Sequence, residues 1–233
     1  METTQLIMKY LICYSGFFIL SWLAKSNDGN KLLDEKGIVR NPGTLIGLQI
    51  GGILWLGLVP FFIFKTSLSE IVFGAAAPKI LSVVIFIALI VTVVFVASTQ
   101  SKKAINELPN RESAINILNT SFVVRYLIAR FIFLCVYEIF FRGFMLDDSI
   151  DQWGIALAIT INIVLYTLIH IFSGKKEVIG CIPFGLALCV VTILFKAVWP
   201  AIILHFALSF TFEIRSLNRI GKSLKPALKK RLI

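Results

Sequence analysis

Seven stretches of this chain are apolar over close to the length a helix needs to cross a bilayer, and that succession leaves little choice of fold. They run from Leu6 to Ala24, Thr44 to Phe64, Lys79 to Thr99, Phe122 to Leu146, Trp153 to Phe172, Val178 to Leu194 and Val198 to Ile214. A segment in lipid must satisfy its own backbone hydrogen bonds, so each stretch is expected to be helical. The predicted architecture is all-α: a polytopic transmembrane helical bundle of about seven spans. With 58% hydrophobic residues, 15% charged residues and a mean hydropathy of +0.87, the chain cannot clothe a soluble domain in polar surface. The last two stretches are short, which predicts one tilted or partly re-entrant segment. The first reads as a retained helix rather than a signal peptide. Glu2 stands ahead of it instead of a basic cluster, and Trp22-Leu23-Ala24 is not a small-residue cleavage site.

Loop charge predicts the orientation. The segments after the first, third and fifth stretches, with the C-terminal tail, hold 16 Lys and Arg against 3 on the opposite side, counting Lys79 at the head of the third stretch. This places the N-terminus outside and the tail from Arg215 to Arg231 in the cytoplasm. Most of the +10 net charge then lies near an anionic leaflet, which makes membrane lipids expected partners. Nucleic acid is not expected, because no recognition pattern accompanies the basic tail. Cys13, Cys135, Cys181 and Cys189 show no C-x-x-C spacing and read as packing or lipid-facing residues. Gly43, Gly47 and Gly51 form a small-residue stripe suited to close helix packing, favoured here within the chain over dimerisation. Pro60 and Pro183 are expected to kink or unwind their helices locally.

Against this apolar background, a few ionisable side chains stand out. Each costs about 2.5 to 3.5 kcal/mol at membrane depth on insertion scales, so by default they mark function. The only two histidines, His170 and His205, lie in the fifth and last stretches, and the fourth carries Glu138 and Arg142 one helical turn apart. Asn162, Tyr166 and His170 share one helical face, as do His205, Ser209 and Glu213. Lipid offers such faces nothing, so the three helices are expected to converge on one interior pocket. Glu138 and His205 fall near the middle of their spans, with His170 nearer the cytoplasmic side.

Three segments occur in a telling order: Tyr137-Glu138-Ile-Phe-Phe-Arg142-Gly143-Phe144, then Tyr166-Thr-Leu-Ile-His170, then Trp199-Pro-Ala-Ile-Ile-Leu-His205-Phe-Ala-Leu-Ser209. In order and spacing this resembles the type 2 CAAX prenyl endopeptidases and bacteriocin-processing membrane proteins, whose signature is E-E-x-x-x-R, F-x-x-x-H and H-x-x-x-N. The similarity runs from Arg125 to Phe210. It divides the chain into N-terminal helices without diagnostic motifs over 1–121, a protease-like core over 122–214 and a basic tail over 215–233.

The resemblance implies an intramembrane endopeptidase acting on a membrane-anchored or lipidated peptide or protein. It places the water-activating pair on Tyr137 and His170 and the oxyanion donors on His205 and Ser209, with Glu138 and Arg142 matching the second glutamate and the arginine. Two positions depart from the signature. A tyrosine phenol, with a pKa near 10, is a poor base at neutral pH, so Glu138 is the substitute expected to turn toward His170. Ser209 keeps a hydroxyl donor where the signature has asparagine. The cofactor is either none or a divalent metal such as zinc on Glu138, His170 and His205, with a fourth position for water. The alternative reading is a catalytically silent relative that binds or regulates a membrane partner. A transporter or channel is disfavoured by the lack of a paired broken-helix repeat.

Overall fold

The computed structural model describes residues 3–29, 31–34, 37–64, 68–74, 77–106 and 120–231. Lys36, Lys65 and Arg111, counted above for orientation, lie outside them. The chain is an all-α bundle. Helix α1 spans Thr3–Ser26, and a two-residue antiparallel ladder follows, with β1 (Leu33–Asp34) against β2 (Gly37–Ile38). Helix α2 (Pro42–Ile63) starts where physical rules say it should. Asn41 accepts from Thr44 N at 3.1 Å, and Pro42, which has no N–H to satisfy, opens the first turn. Then come α3 (Leu68–Phe73), α4 (Ile80–Asn106), α5 (Thr120–Glu138), a π-helical segment (Ile139–Met145) and α6 (Leu146–Trp153). Helix α7 (Ile155–Ile169) runs into a 3-10 turn (His170–Ser173), and α8 (Lys175–Phe195) and α9 (Trp199–Arg231) complete the bundle.

Six helices among the described residues are long and apolar enough to cross a membrane: Thr3–Ser26, Pro42–Ile63, Ile80–Asn106, Ile155–Ser173, Lys175–Phe195 and Trp199–Lys222. Helix α5 has the length, at 19 residues, but carries Arg125, Arg130 and Glu138. It packs between α2 and α9, and Glu138 lies fully buried inside the protein. Lipid therefore never meets that carboxylate. On α4 the opposite holds: Leu81, Val84, Ile87, Val91 and Phe95 all face outward. The interior is aromatic, built on Phe17, Phe133, Tyr137, Phe140, Phe141 and Tyr166.

Several expectations need correction. The last two spans are not short: α8 has 21 residues and α9 has 33, so neither requires a re-entrant path. Helix α9 runs on from the last apolar stretch through the basic region to Arg231. Pro60 sits in the last turn of α2, and α8 stays helical through Pro183. The close helix contacts use other glycines than the predicted stripe. Gly43 and Gly47 are exposed, and a Cβ on Gly47 would meet nothing within 4 Å. A Cβ on Gly16 would strike the Trp55 ring at 2.2 Å, and one on Gly52 the Phe133 ring at 2.5 Å. These two positions let α1, α2 and α5 approach, because only a residue without a side chain fits.

Candidate functional site

Helix α5 delivers Glu138 and then changes its winding. The π segment Ile139–Met145 adds a residue to the turn, which frees backbone carbonyls from the regular ladder. One of these is recovered by α7: Asn162 Nδ2 donates to Phe141 O at 2.6 Å. The segment also needs Gly143, since a Cβ there would come within 2.5 Å of Ile71 Cγ2 on α3. Together these contacts fix Glu138 and Arg142 in the protein interior, both at 0% side-chain exposure, with Arg142 Nη1 3.4 Å from Glu138 Oε2. That approach is an ion pair without hydrogen-bond alignment. The guanidinium instead lies over the Tyr166 ring, 4.5 Å from its centroid.

His205, presented by α9, completes this group. Its Nδ1 lies 2.5 Å from Glu138 Oε1, so the carboxylate is gripped from two sides. His170 does not join it. It stands at the C-terminal end of α7, where the chain tightens into the 3-10 turn and Gly174 reverses it at φ 103°. This returns the first turn of α8 over His170, and Nδ1 meets Glu177 Oε1 at 2.7 Å. The other oxygen of Glu177 pairs with Lys31, from the α1–α2 connection. The protein thus holds two imidazoles in the same manner, each bonded at Nδ1 to a carboxylate that also faces a cation. Glu138 and His205 are sealed, at 0% and 7% exposure, whereas His170 and Glu177 are 19% and 26% exposed.

Both imidazoles line one partly open cavity of about 70 Å³. Tyr137 and Arg130 from α5, Phe17 and Ser21 from α1, Leu48 from α2, and Lys31, Ser173 and Glu177 complete much of its wall. The N-terminal helices, which carry no diagnostic motif, are therefore structural walls of the cavity. Two buried polar atoms on these lining residues, Tyr137 Oη and His170 Nε2, have no hydrogen-bond partner among the described residues. The volume is several times what a single water needs, and such orphaned atoms are where buried water binds. The Tyr166 ring stands beside both histidines, with centroids 4.8 Å from His170 and 6.3 Å from His205.

The structure brings His170, His205 and Tyr137 to one cavity, while Glu138 lies behind His205 rather than turned toward His170. Ser209 points elsewhere. Arg130 Nη2 donates to its Oγ at 3.0 Å, and the hydroxyl belongs to a cluster in which Glu213 accepts from Tyr126 at 2.9 Å and faces Arg130 Nε at 3.5 Å. Three residues that motif reading missed reach the cavity: Lys31, Arg130 and Glu177. Arg130 could have been flagged, since an arginine inside an apolar stretch carries the same insertion cost that singled out Arg142. As a metal site the predicted donors do not fit. Among the described residues no three His, Cys, Asp or Glu side chains gather to hold an ion, because Glu138 is spent on His205 and Arg142, and His170 is bonded to Glu177.

The fold and this chamber define an integral multi-pass membrane protein with a polar, histidine-lined cavity walled by its helices. Residues 119–211, from the start of α5 into α9, are similar to the family model described as Type II CAAX prenyl endopeptidase Rce1-like. No curated protein and no solved structure matches the chain.

Proposed function

We propose that this protein is an intramembrane endopeptidase that hydrolyses a peptide bond of a membrane-anchored or lipidated protein or peptide in the cavity between α5, α7 and α9. The observation that carries the reading is the pair of anchored imidazoles on one partly open cavity, within the segment that matches the protease family. The reaction asks for a base, an activated water and donors for an oxyanion. His170 Nε2, which has no hydrogen-bond partner among the described residues, is the base. A water between it and the substrate loses a proton to Nε2 as its oxygen bonds to the carbonyl carbon. Arg130 and Tyr137 line the same space and offer donors to the developing oxyanion, and His205, its Nδ1–H held by Glu138, adds a donor at Nε2 as the imidazolium. The proton then passes to the amide nitrogen as the C–N bond breaks, releasing a carboxylate and an amine. In this scheme Ser209 holds Arg130 in place, Glu138 holds His205, and Arg142 balances the charge of Glu138. No step draws on a metal.

In the proposed orientation the N-terminus is outside and α9 emerges into the cytoplasm. The cavity then opens at the cytoplasmic end, beside Lys31 and Glu177. One observation favours a second reading, a catalytically silent relative that regulates a membrane partner: Tyr137 stands where the signature has its first glutamate. The two separate in proteoliposomes carrying a membrane-tethered reporter peptide. Cleavage by the purified protein, reduced to background by His170→Ala and by His205→Ala with thermal melting preserved, is the expected result. Cleavage that survives either substitution would end the endopeptidase scheme, as would a native protein that cuts no tethered peptide.

A further inference from the structure

We infer that Glu177, held by Lys31, is the carboxylate that orients His170 as the base, so that the imidazole activates the water without a glutamate at position 137. The inference rests on the endopeptidase reading above, and neither Glu177 nor Lys31 belongs to the three motifs.

The geometry argues in steps. Glu177 Oε1 lies 2.7 Å from His170 Nδ1, and an ionised carboxylate can only accept, so the proton sits on Nδ1. That choice leaves the lone pair on Nε2, a buried nitrogen without a hydrogen-bond partner among the described residues, on a side chain that lines the cavity. Lys31 engages the second carboxylate oxygen, which fixes the plane of Glu177 and keeps it charged. A carboxylate behind a catalytic imidazole sets its tautomer and steadies the imidazolium that forms when the ring takes a proton. The matching group on the far side of the cavity, Glu138 with His205 and Arg142, is too deeply sealed to exchange protons readily with solvent. His170, Glu177 and Lys31 are exposed by 19%, 26% and 27%, so this relay can. Glu177 is a positioning residue: it touches the base and not the substrate. During turnover Nε2 receives the proton of the attacking water and surrenders it to the leaving amide nitrogen, and Nδ1 keeps its own proton throughout.

The full-length protein in proteoliposomes supplies the test, with Glu177→Gln and Glu177→Asp assayed on the tethered peptide. A glutamine can donate to Nδ1 and so admit the wrong tautomer. We expect Glu177→Gln to lower kcat by roughly 100- to 10,000-fold, by analogy with the loss of such a carboxylate in hydrolytic triads, with KM nearly unchanged. Glu177→Asp, which keeps the charge and the partner Lys31, should recover part of that loss. Because the chain has only two histidines, 15N-histidine spectra in micelles resolve both rings, and His205→Gln assigns them. His170 should show the Nδ1–H tautomer in the native protein and lose that signature in Glu177→Gln, a change that a merely structural role would not produce. An active native protein whose Glu177→Gln variant keeps its kcat, or a His170 tautomer indifferent to residue 177, overturns the inference alone. A native protein that cuts nothing overturns the endopeptidase reading and this inference with it.

Discussion

Glu138→Gln is the perturbation that most directly tests how this protein keeps charge inside a membrane bundle. The carboxylate and the Arg142 guanidinium are both at 0% exposure and 3.4 Å apart, and His205 donates to the other oxygen at 2.5 Å. An amide of the same shape preserves the packing but removes the charge, which leaves Arg142 cationic beside the Tyr166 and Phe141 rings without its carboxylate partner. Breaking one side of a buried ion pair typically costs about 3 to 5 kcal/mol, because the surviving charge stays desolvated. Arg142→Met should cost less, since Glu138 would still have His205 as a partner. The double variant Glu138→Gln/Arg142→Met buries no charge at that point and should be the mildest, roughly 2 to 3 kcal/mol better than Glu138→Gln alone. Reversible unfolding of the purified variants in detergent micelles, analysed as a double-mutant cycle, measures this coupling. If Glu138→Gln and the double variant are equally stable, the guanidinium is not paid for by the carboxylate, and the account given of the π segment fails.

Two further perturbations address the surroundings. Gly52→Ala drives a methyl against the Phe133 ring at 2.5 Å and the Phe17 ring at 3.0 Å, and should destabilise by roughly 1 to 3 kcal/mol, whereas Gly47→Ala, with nothing within 4 Å, should leave melting unchanged. Equal effects at the two positions in thermal melts would refute the assignment of the close contact. Asp148, beyond the end of the fourth span, accepts from Tyr10 Oη at 2.5 Å, and burial raises its pKa more than the Tyr10 bond lowers it. A carboxyl whose pKa is raised on folding favours the folded state fully below its unfolded pKa, and loses that advantage as pH rises through the folded value. Asp148→Asn, which retains an acceptor for Tyr10, should therefore melt higher than the native protein at neutral pH, with the gain vanishing near pH 3. A gain that grows as pH falls would reverse the sign of this argument.

Much of the site was legible in sequence for one reason: in lipid, charge is rare and costly, so each buried ionisable group announces itself. The same rule applied unevenly. Arg130 lay inside an apolar stretch and was as conspicuous as Arg142, yet it matched no motif. Glu177 looked like a loop residue, because it follows the fifth span and precedes the sixth. Only the turn at Gly174, with φ 103°, brings it back over His170. Ser209 shares a helical face with His205, but a face spans a wide arc, and one turn along α9 the nearest polar neighbour is Arg130 rather than the cavity.

What the sequence settled by itself was the membrane bundle, because apolar length, backbone hydrogen bonding and the expense of charge in lipid are properties of segments. It also pointed the two histidines toward a shared interior, since polar faces on neighbouring helices find no partner in lipid. The pairing of those histidines was decided by tertiary structure: Glu138 with His205, Glu177 with His170, and Lys31 and Arg142 behind them. A hydrogen bond depends on ångström-scale placement, and here that placement comes from a π turn, a 3-10 turn and two glycines at which helices nearly touch.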